Sequence, residues 1–365
     1  MNENNIKLKG IRVGDKISKY PIIQGGMGVG VSAHKLAGNV AKEGGIGIIS
    51  TADIGYKEED FYKNPVQANL RAIGKEIDEA RKIAPKGIIG INIMCALNNY
   101  SEMVKEVVKK GIDLIISGAG LPKDLPELVK GTKTKIAPII SSARGAKLII
   151  KLWRTKYNYI PDMIVIEGPE AGGHLGFKLE ELTDENVNLS LEEITKEVVK
   201  EVKQIEEETN KQIPIIVAGG IFNGKDIAKY LKLGASGVQM ATRFVATEEC
   251  DADLAFKQAY VNCKKEDIEI VKSPVGMPGR AICNNFIKKV KNEKPKITKC
   301  LKCIKTCNPL QTPYCITKAL INSVNGNLEE GLIFCGSNAY RIEKIVTVHE
   351  LIRELVEDTK KYLTK

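Results

Sequence analysis

PIIVAGGIFNGKDIAKYLKLGASGVQM, residues Pro214–Met240, holds a complete strand–helix–strand unit. Pro214–Ala218 is a short run rich in Ile and Val with no polar alternation, the pattern of a strand buried on both faces. The pair Gly219–Gly220 ends it. Asp226–Leu233 then carries apolar residues at helical spacing and stops at Gly234, a residue suited to the left-handed turn past a helix end. Gly237–Met240 opens a second apolar run. Parallel strands need a crossover of this kind, so the unit predicts βαβ.

The same pattern recurs along the chain. The other candidate strands are Pro21–Gln24, Ile46–Ser50, Ile88–Ile93, Leu114–Ser117, Ile136–Ser141 and Met163–Glu167. Helical patterns lie between them: His34–Glu43, Asn69–Ile83, Ser101–Lys110 with Ser101 as N-cap, Ala143–Trp153 and Leu191–Asn210. Eight strands alternating with helices predict an α/β protein, a (βα)8 TIM barrel. A doubly wound open sheet is the structural alternative; the strand count and the glycines at strand ends favour the barrel. After about Val245 the alternation stops. The expected division is a barrel over 1–249 and a helical extension over 250–365 that packs back on it. Cys250–Lys265, Thr317–Val324 and Val348–Tyr362 read as helices there, and Ser273–Arg280 as a Pro/Gly turn region.

At 365 residues, 43% hydrophobic and 27% charged, the chain has the composition of a globular protein with a large core. No apolar run has the length of a membrane span. The start, Met1–Lys9, is polar and lysine-bearing, so a cytoplasmic location is expected. Net charge is +10, from 55 Lys and Arg against 45 Asp and Glu. Much of the excess lies in Lys288–Lys305, with eight lysines and one acid, Glu293. This stretch reads as a solvated surface, or as attraction to an acidic partner or a phosphorylated cofactor. With Phe286 only at its edge it lacks the aromatics and motifs of nucleic-acid binding.

Among three histidines, His174 stands out. It follows a glycine pair in Glu167-Gly-Pro-Glu-Ala-Gly-Gly-His-Leu-Gly176, directly after the sixth strand. Glycines admit close approach of a ligand to the backbone, and an imidazole there can move protons near neutral pH. The other reading is a structural histidine bonded to a loop carbonyl. His34 and His349 read as structural, and Glu170 as a brace of the loop. Active sites of such barrels collect at the C-terminal strand ends. There lie Gln24-Gly-Gly-Met-Gly28, Asn92, and the pair Ala218-Gly-Gly-Ile221 and Gln239-Met-Ala-Thr-Arg-Phe244. Backbone amides at Gly219 and Gly220, with the Thr242 hydroxyl, predict a phosphate cradle after the last two strands.

Taken together these segments resemble the nitronate monooxygenase family, formerly the 2-nitropropane dioxygenases, close to the flavin-type enoyl-ACP reductases. The matching stretches are PIIQGGMG, GGIGIIS, GINIM, SGAG, EGPEAGGHLG, IPIIVAGGI, GASGVQMATRF and SPVGMPGRAI, from Pro21 to Ile282, with EGLIFCGSNAYRI at Glu330–Ile342. The resemblance implies a TIM barrel holding FMN. Gly219, Gly220 and Gln239, Met240, Ala241 and Thr242 would hold its phosphate. Asn92, Glu167, Gly172 and Gly173 would touch the flavin or its ribityl chain, and Gln24, Gly25, Gly26 and Met27 would border the ring. His174 would be catalytic, on the substrate side. Ala241 departs from the commoner glycine before Thr-Arg-Phe. The implied activity is oxidation of alkyl nitronates by oxygen to a carbonyl and nitrite. The alternative is an NAD(P)H-dependent enoyl-ACP reductase, with an acyl carrier protein as partner. A non-redox barrel binding a phosphorylated ligand is a third reading. The expected partners are otherwise a small-molecule substrate and a second copy in a homodimer, with neither nucleic acid nor membrane.

Cys300, Cys303, Cys307 and Cys315 form C-x2-C-x3-C-x7-C in a Cys-rich insert at about 295–316. In a reduced compartment such spacing points to a metal before a disulfide, either zinc or an iron–sulfur cluster; the other reading is four ordinary thiols.

Overall fold

A computed structural model describes residues 6–184, 187, 189–293 and 295–364. The first five residues of the polar start and Lys294 of the basic stretch therefore lie outside the described residues. Eight parallel strands close into a barrel: β1 Ile22–Gln24, β2 Ile46–Ser50, β3 Ile88–Met94, β4 Leu114–Gly118, β5 Lys135–Ile140, β6 Ile164–Glu167, β7 Ile215–Ala218 and β8 Gly237–Met240. They pair in sequence order, and β8 returns to β1 through Met240 opposite Gln24. The barrel predicted from the strand count is thus the observed fold, and the open sheet is excluded.

Burial on two faces explains the unbroken apolar runs. Alternate residues point into the barrel: Ile23, Ile46, Ile48, Ile88, Leu114, Ile116, Val165 and Ile216 form one buried cluster. Ile11 and Val13, beside a short N-terminal hairpin, complete that cluster. The intervening residues, such as Ile22, Ile49, Ile91, Ile115, Ile164 and Val217, face outward into a second cluster shared with the helices. A polar residue on either face loses water and is kept only where it finds a partner, so both periods fill mostly with Ile and Val.

The helices follow the sequence signals with shifted ends. The crossover helix runs Gly224–Lys232, begun by Asn223, whose side chain accepts from Asp226 N at 3.0 Å while Asp226 answers in a capping box. The helix after β3 starts at Tyr100, earlier than expected, so Ser101 lies inside it and Asn99 holds the cap position. Helix Leu254–Val261 is shorter than the predicted Cys250–Lys265; Asp253 accepts from Ala255 N at 2.8 Å and sets its start.

The extension is not wholly helical. Ile268–Lys272 and Pro278–Ile282 pair antiparallel, and the second strand pairs with the two-residue strand Gly173–His174. The predicted turn region therefore ends at Met277, and the strand begins at Pro278. The closing helix Val348–Thr364 packs on Gly224–Lys232, where Gly224 N donates to Asp358 at 3.0 Å. Among the described residues no helix is long and apolar enough to cross a membrane.

Candidate active site

At the C-terminal mouth of the barrel a cavity of about 260 Å³ draws residues from the end of every strand. Gly25, Gly26 and Met27 enter it after β1, Asn92 and Met94 from β3, Glu167 from β6. Gly219 and Gly220 enter after β7, and Gln239, Met240, Ala241 and Thr242 with β8. Gly172, Gly173 and His174 complete the wall. The structure thus gathers nearly all the predicted site residues around one hollow.

Gln24 is the exception, and here the sequence expectation is corrected. Its side chain is fully buried, with Oε1 accepting from Ile48 N at 3.0 Å and Nε2 donating to Ile48 O at 3.1 Å. The β1–β2 ladder has a single register pair, Ile23 with Ile46. The Gln24 amide supplies the backbone-like pairing this joint lacks, and so it faces the barrel wall and not the cavity.

The strand-seven turn is shaped for close approach. Gly219 and Gly220 have φ of +101° and +78°, which side-chain-bearing residues adopt at a cost. A Cβ on Gly219 would lie 3.0–3.1 Å from backbone atoms of Gly168 and Ala171. Thr242 Oγ1 accepts from Gly336 N at 3.3 Å and keeps its own proton to donate. Backbone amides of a glycine turn beside a hydroxyl suit an anion such as a phosphate.

His174 is held from four sides. Its strand pairs with Pro278–Ile282, with Gly279 opposite His174. Its Nε2 shares a 2.6 Å hydrogen bond with Ser273 Oγ. Phe334 meets the ring edge-on at 4.9 Å. Arg280 Nη1 donates to Pro169 O at 2.8 Å and to Ala171 O, pinning the loop before it. Burial away from bulk water lowers the His174 pKa from 6.5 to about 4, so the ring is neutral at pH 7. The same burial raises Glu167 from 4.5 to about 7, against the pull of its bond from Gly176 N at 3.0 Å. Both side chains keep some accessible surface, but that surface faces the cavity.

Gly172 shows why the extension matters. A Cβ there would lie 2.5 Å from the Cys335 carbonyl carbon and 2.6 Å from Gly336 N. The segment Phe334–Gly336 therefore passes backbone against backbone, and it lines the cavity. Ser273, Arg280 and Phe334–Gly336 were given no role by the sequence reading. Their signal was present in SPVGMPGRAI and EGLIFCGSNAYRI, quoted only as matching motifs.

His34 and His349 lie outside the cavity, paired with Glu76 at 2.7 Å and Glu43 at 2.8 Å. The four insert cysteines stand as free thiols. Among the described residues no three His, Cys, Asp or Glu side chains converge closely enough to hold a metal ion as they stand.

Comparison with known proteins agrees with this geometry. A family model described as nitronate monooxygenase matches residues 12–358. A probable nitronate monooxygenase of Staphylococcus haemolyticus is 26% identical, over 95% of this chain and 96% of the relative. FabK from Thermotoga maritima is 25% identical, with a TM-score of 0.73 covering 95% of this chain and 94% of that one. A nitroalkane oxidase from Streptomyces ansochromogenes has the same fold, with a TM-score of 0.73, 18% identity and coverage of 95% and 97%.

Proposed function

The chain belongs to the nitronate monooxygenase family, a family of flavin-dependent oxidoreductases, and from that premise we propose an FMN-dependent oxidase of alkyl nitronates, using oxygen and releasing a carbonyl compound and nitrite. One observation carries this reading: a neutral, buried imidazole and a glycine-built anion cradle share one cavity.

FMN, when bound, supplies the electron-accepting chemistry. Gly219, Gly220 and Gln239–Thr242 would hold its phosphate through backbone amides and the Thr242 hydroxyl. Asn92, Glu167, Gly172 and Gly173 would lie along its length, and Gly25–Met27 would border its ring. Phe334–Gly336 would wall one side of that space.

His174 is the proposed catalytic residue. An imidazole with a pKa of about 4 is a weak base. Each further pH unit between that value and neutrality costs about 1.4 kcal/mol in proton affinity. Abstracting a carbon-bound proton from a neutral nitroalkane is therefore disfavoured, and a preformed nitronate is the matching substrate. An anion beside the ring raises its pKa, so His174 takes up a proton as the nitronate binds. With Nε2 kept on Ser273, Nδ1 serves the nitro oxygen.

A second reading has its own support. The likeness to FabK spans nearly the whole chain, and the lysine-rich stretch suits an acidic acyl carrier protein. On that reading the site reduces an enoyl thioester with NAD(P)H.

The test mixes the purified protein with propyl nitronate in air without NAD(P)H and measures nitrite, after FMN is identified by chromatography of the heat-released cofactor. Nitrite release supports the proposal. Flavin bleaching by NAD(P)H with turnover of a crotonyl thioester, and no nitrite, selects the reductase. A colourless protein sinks both and leaves a phosphate-ligand-binding barrel.

A further inference from the structure

From Pro295 to Cys315 the chain forms no helix and no ladder strand. Structureless segments of this length are uncommon inside compact domains unless something local organises them. Two groups of contacts anchor this one. Ile304 bridges to Leu97, Cys303 O accepts from Asn98 N at 3.0 Å, and Lys305 N donates to Ala96 O at 2.9 Å. Farther along, Tyr314 OH donates to Lys272 O at 3.1 Å. Ile304 and Tyr314 are buried at these anchors, whereas Leu310 between them is 85% exposed.

The fold brings the four insert cysteines into one neighbourhood. Thr317, in the first turn of the helix that Cys315 caps, brings Cys303 beside Cys315, and Cys300 and Cys307 flank Cys303 within four residues on either side. Thr317 Oγ1 lies 3.2 Å from Cys303 Sγ while its one proton goes to Asp53 Oδ2 at 2.6 Å. Lys296, Lys299, Lys302 and Lys305 lie within the same segment.

We propose that Cys300, Cys303, Cys307 and Cys315 form a four-thiolate centre for a thiophilic metal, zinc or an iron–sulfur cluster, which organises the 295–315 segment against the loop after β3. As thiols the sulfurs have no cause to converge, and as bare thiolates they repel. A metal replaces their protons and draws them to bonding distance. Each sulfur turns on a single side-chain torsion, so rotamer changes redirect it. A four-thiolate zinc or [4Fe–4S] site carries a net charge of about −2, and the interleaved lysines balance it. This gives the basic stretch a purpose apart from any partner. The segment is clipped to Leu97 and Cys95, next to Met94 of the cavity wall, with Lys305 Nζ donating to Cys95 O at 2.8 Å. The centre thus braces one side of the mouth without joining the flavin cradle.

The test is metal and sulfide analysis of full-length protein purified without oxygen. The expected result is about one zinc per chain, or about four irons with matching sulfide. Absence of both, with no uptake on incubation with zinc or with iron plus sulfide, overturns the proposal. Cys300→Ser and Cys303→Ser should each lose the metal while retaining the far-ultraviolet circular dichroism of the folded barrel; metal retained in both overturns the assignment. Should either variant fail to fold, the unmodified protein decides. In the metal-loaded form Cys300 should resist alkylation and trypsin should spare Lys296–Lys305, and a chelator should release both. Equal rates before and after chelation overturn it. None of these readouts depends on the flavin chemistry, so this proposal and the proposed function fail separately.

Discussion

Gly172→Ala tests how the extension seals the site. The added methyl carbon would lie 2.5–2.6 Å from three backbone atoms of Cys335 and Gly336, which cannot swing aside as a side chain can. The φ of Gly172 lies outside the left-handed region, so contact alone is changed. Overpacking of this kind costs about 1–3 kcal/mol. A chain of 365 residues unfolds with an entropy of about 0.8 kcal/mol/K, so Tm should fall by about 1–4 °C. Relief can come only by moving the Phe334–Gly336 segment or the loop that carries His174. The first loosens Thr242, which Gly336 N contacts, and the second displaces the imidazole. Flavin affinity or turnover should therefore drop at least about tenfold, the equivalent of 1.4 kcal/mol. Gly111→Ala is the control. Its φ is +64° with no atom within 4 Å of the new methyl, so it carries only the left-handed strain of about 1–2 kcal/mol, far from the cavity. Differential scanning calorimetry, flavin titration and steady-state rates are compared for the two. If Gly172→Ala loses stability like Gly111→Ala yet binds flavin and turns over normally, the backbone contact does not shape the site and the reasoning fails.

Three further outcomes follow from the same geometry. His174→Ala should retain flavin and lower turnover by about 10²–10⁴-fold, the range for a lost acid–base group; unchanged steady-state rates would remove it from catalysis. Ser273→Ala should lower turnover less, and the double variant should match His174→Ala alone, because Ser273 acts through the ring it holds; additive losses would give Ser273 a separate role. In the flavin-free protein Glu167 binds a proton more tightly folded than unfolded, so its contribution is full below pH 4.5 and lost as pH rises through about 7. His174 runs the other way, its contribution full above pH 6.5 and lost as pH falls towards about 4. Each is worth at most about 3 kcal/mol, and they offset one another between pH 4.5 and 6.5. Denaturant titrations should therefore show stability falling from about pH 6.5 to above pH 7, and Glu167→Gln should abolish that fall and leave a net rise between pH 4.5 and 6.5; an unaltered profile would refute the raised carboxyl pKa.

What the sequence made legible was whatever one strand or one turn fixes alone. A strand buried on both faces writes itself as an Ile/Val run, so all eight barrel strands could be read within a residue of their ends. The strand ends then located Asn92, Glu167, Gly219 and Thr242, because barrel geometry sends every such end to the same mouth. Gln24 was misread because glycines follow it. Its amide is consumed by Ile48, a partner 24 residues away that no local pattern reveals. Ser273 and Phe334 lie in matching motifs, but their contact with His174 is illegible for the same reason: they meet it across 99 and 160 residues of chain, through a sheet whose third strand is only two residues long.

That division of legibility matches a division of labour. The cradle of Gly219–Gly220 and Gln239–Thr242 is built from consecutive barrel strands and their turns, so a phosphorylated cofactor would be held by the barrel itself. His174 is different, because its direction is set by Ser273, Gly279, Arg280 and Phe334, all from the extension. A change at residues 273–280 can therefore re-aim the imidazole without touching the cradle, whereas Gly336 and Asn338 of the extension reach Thr242 and Gly220. On the proposed function this would separate the group that accepts electrons from the group that meets the substrate. On that proposal, residues near 273–280 and 332–336, more than the strand ends, are where a choice between nitronate and thioester should be sought.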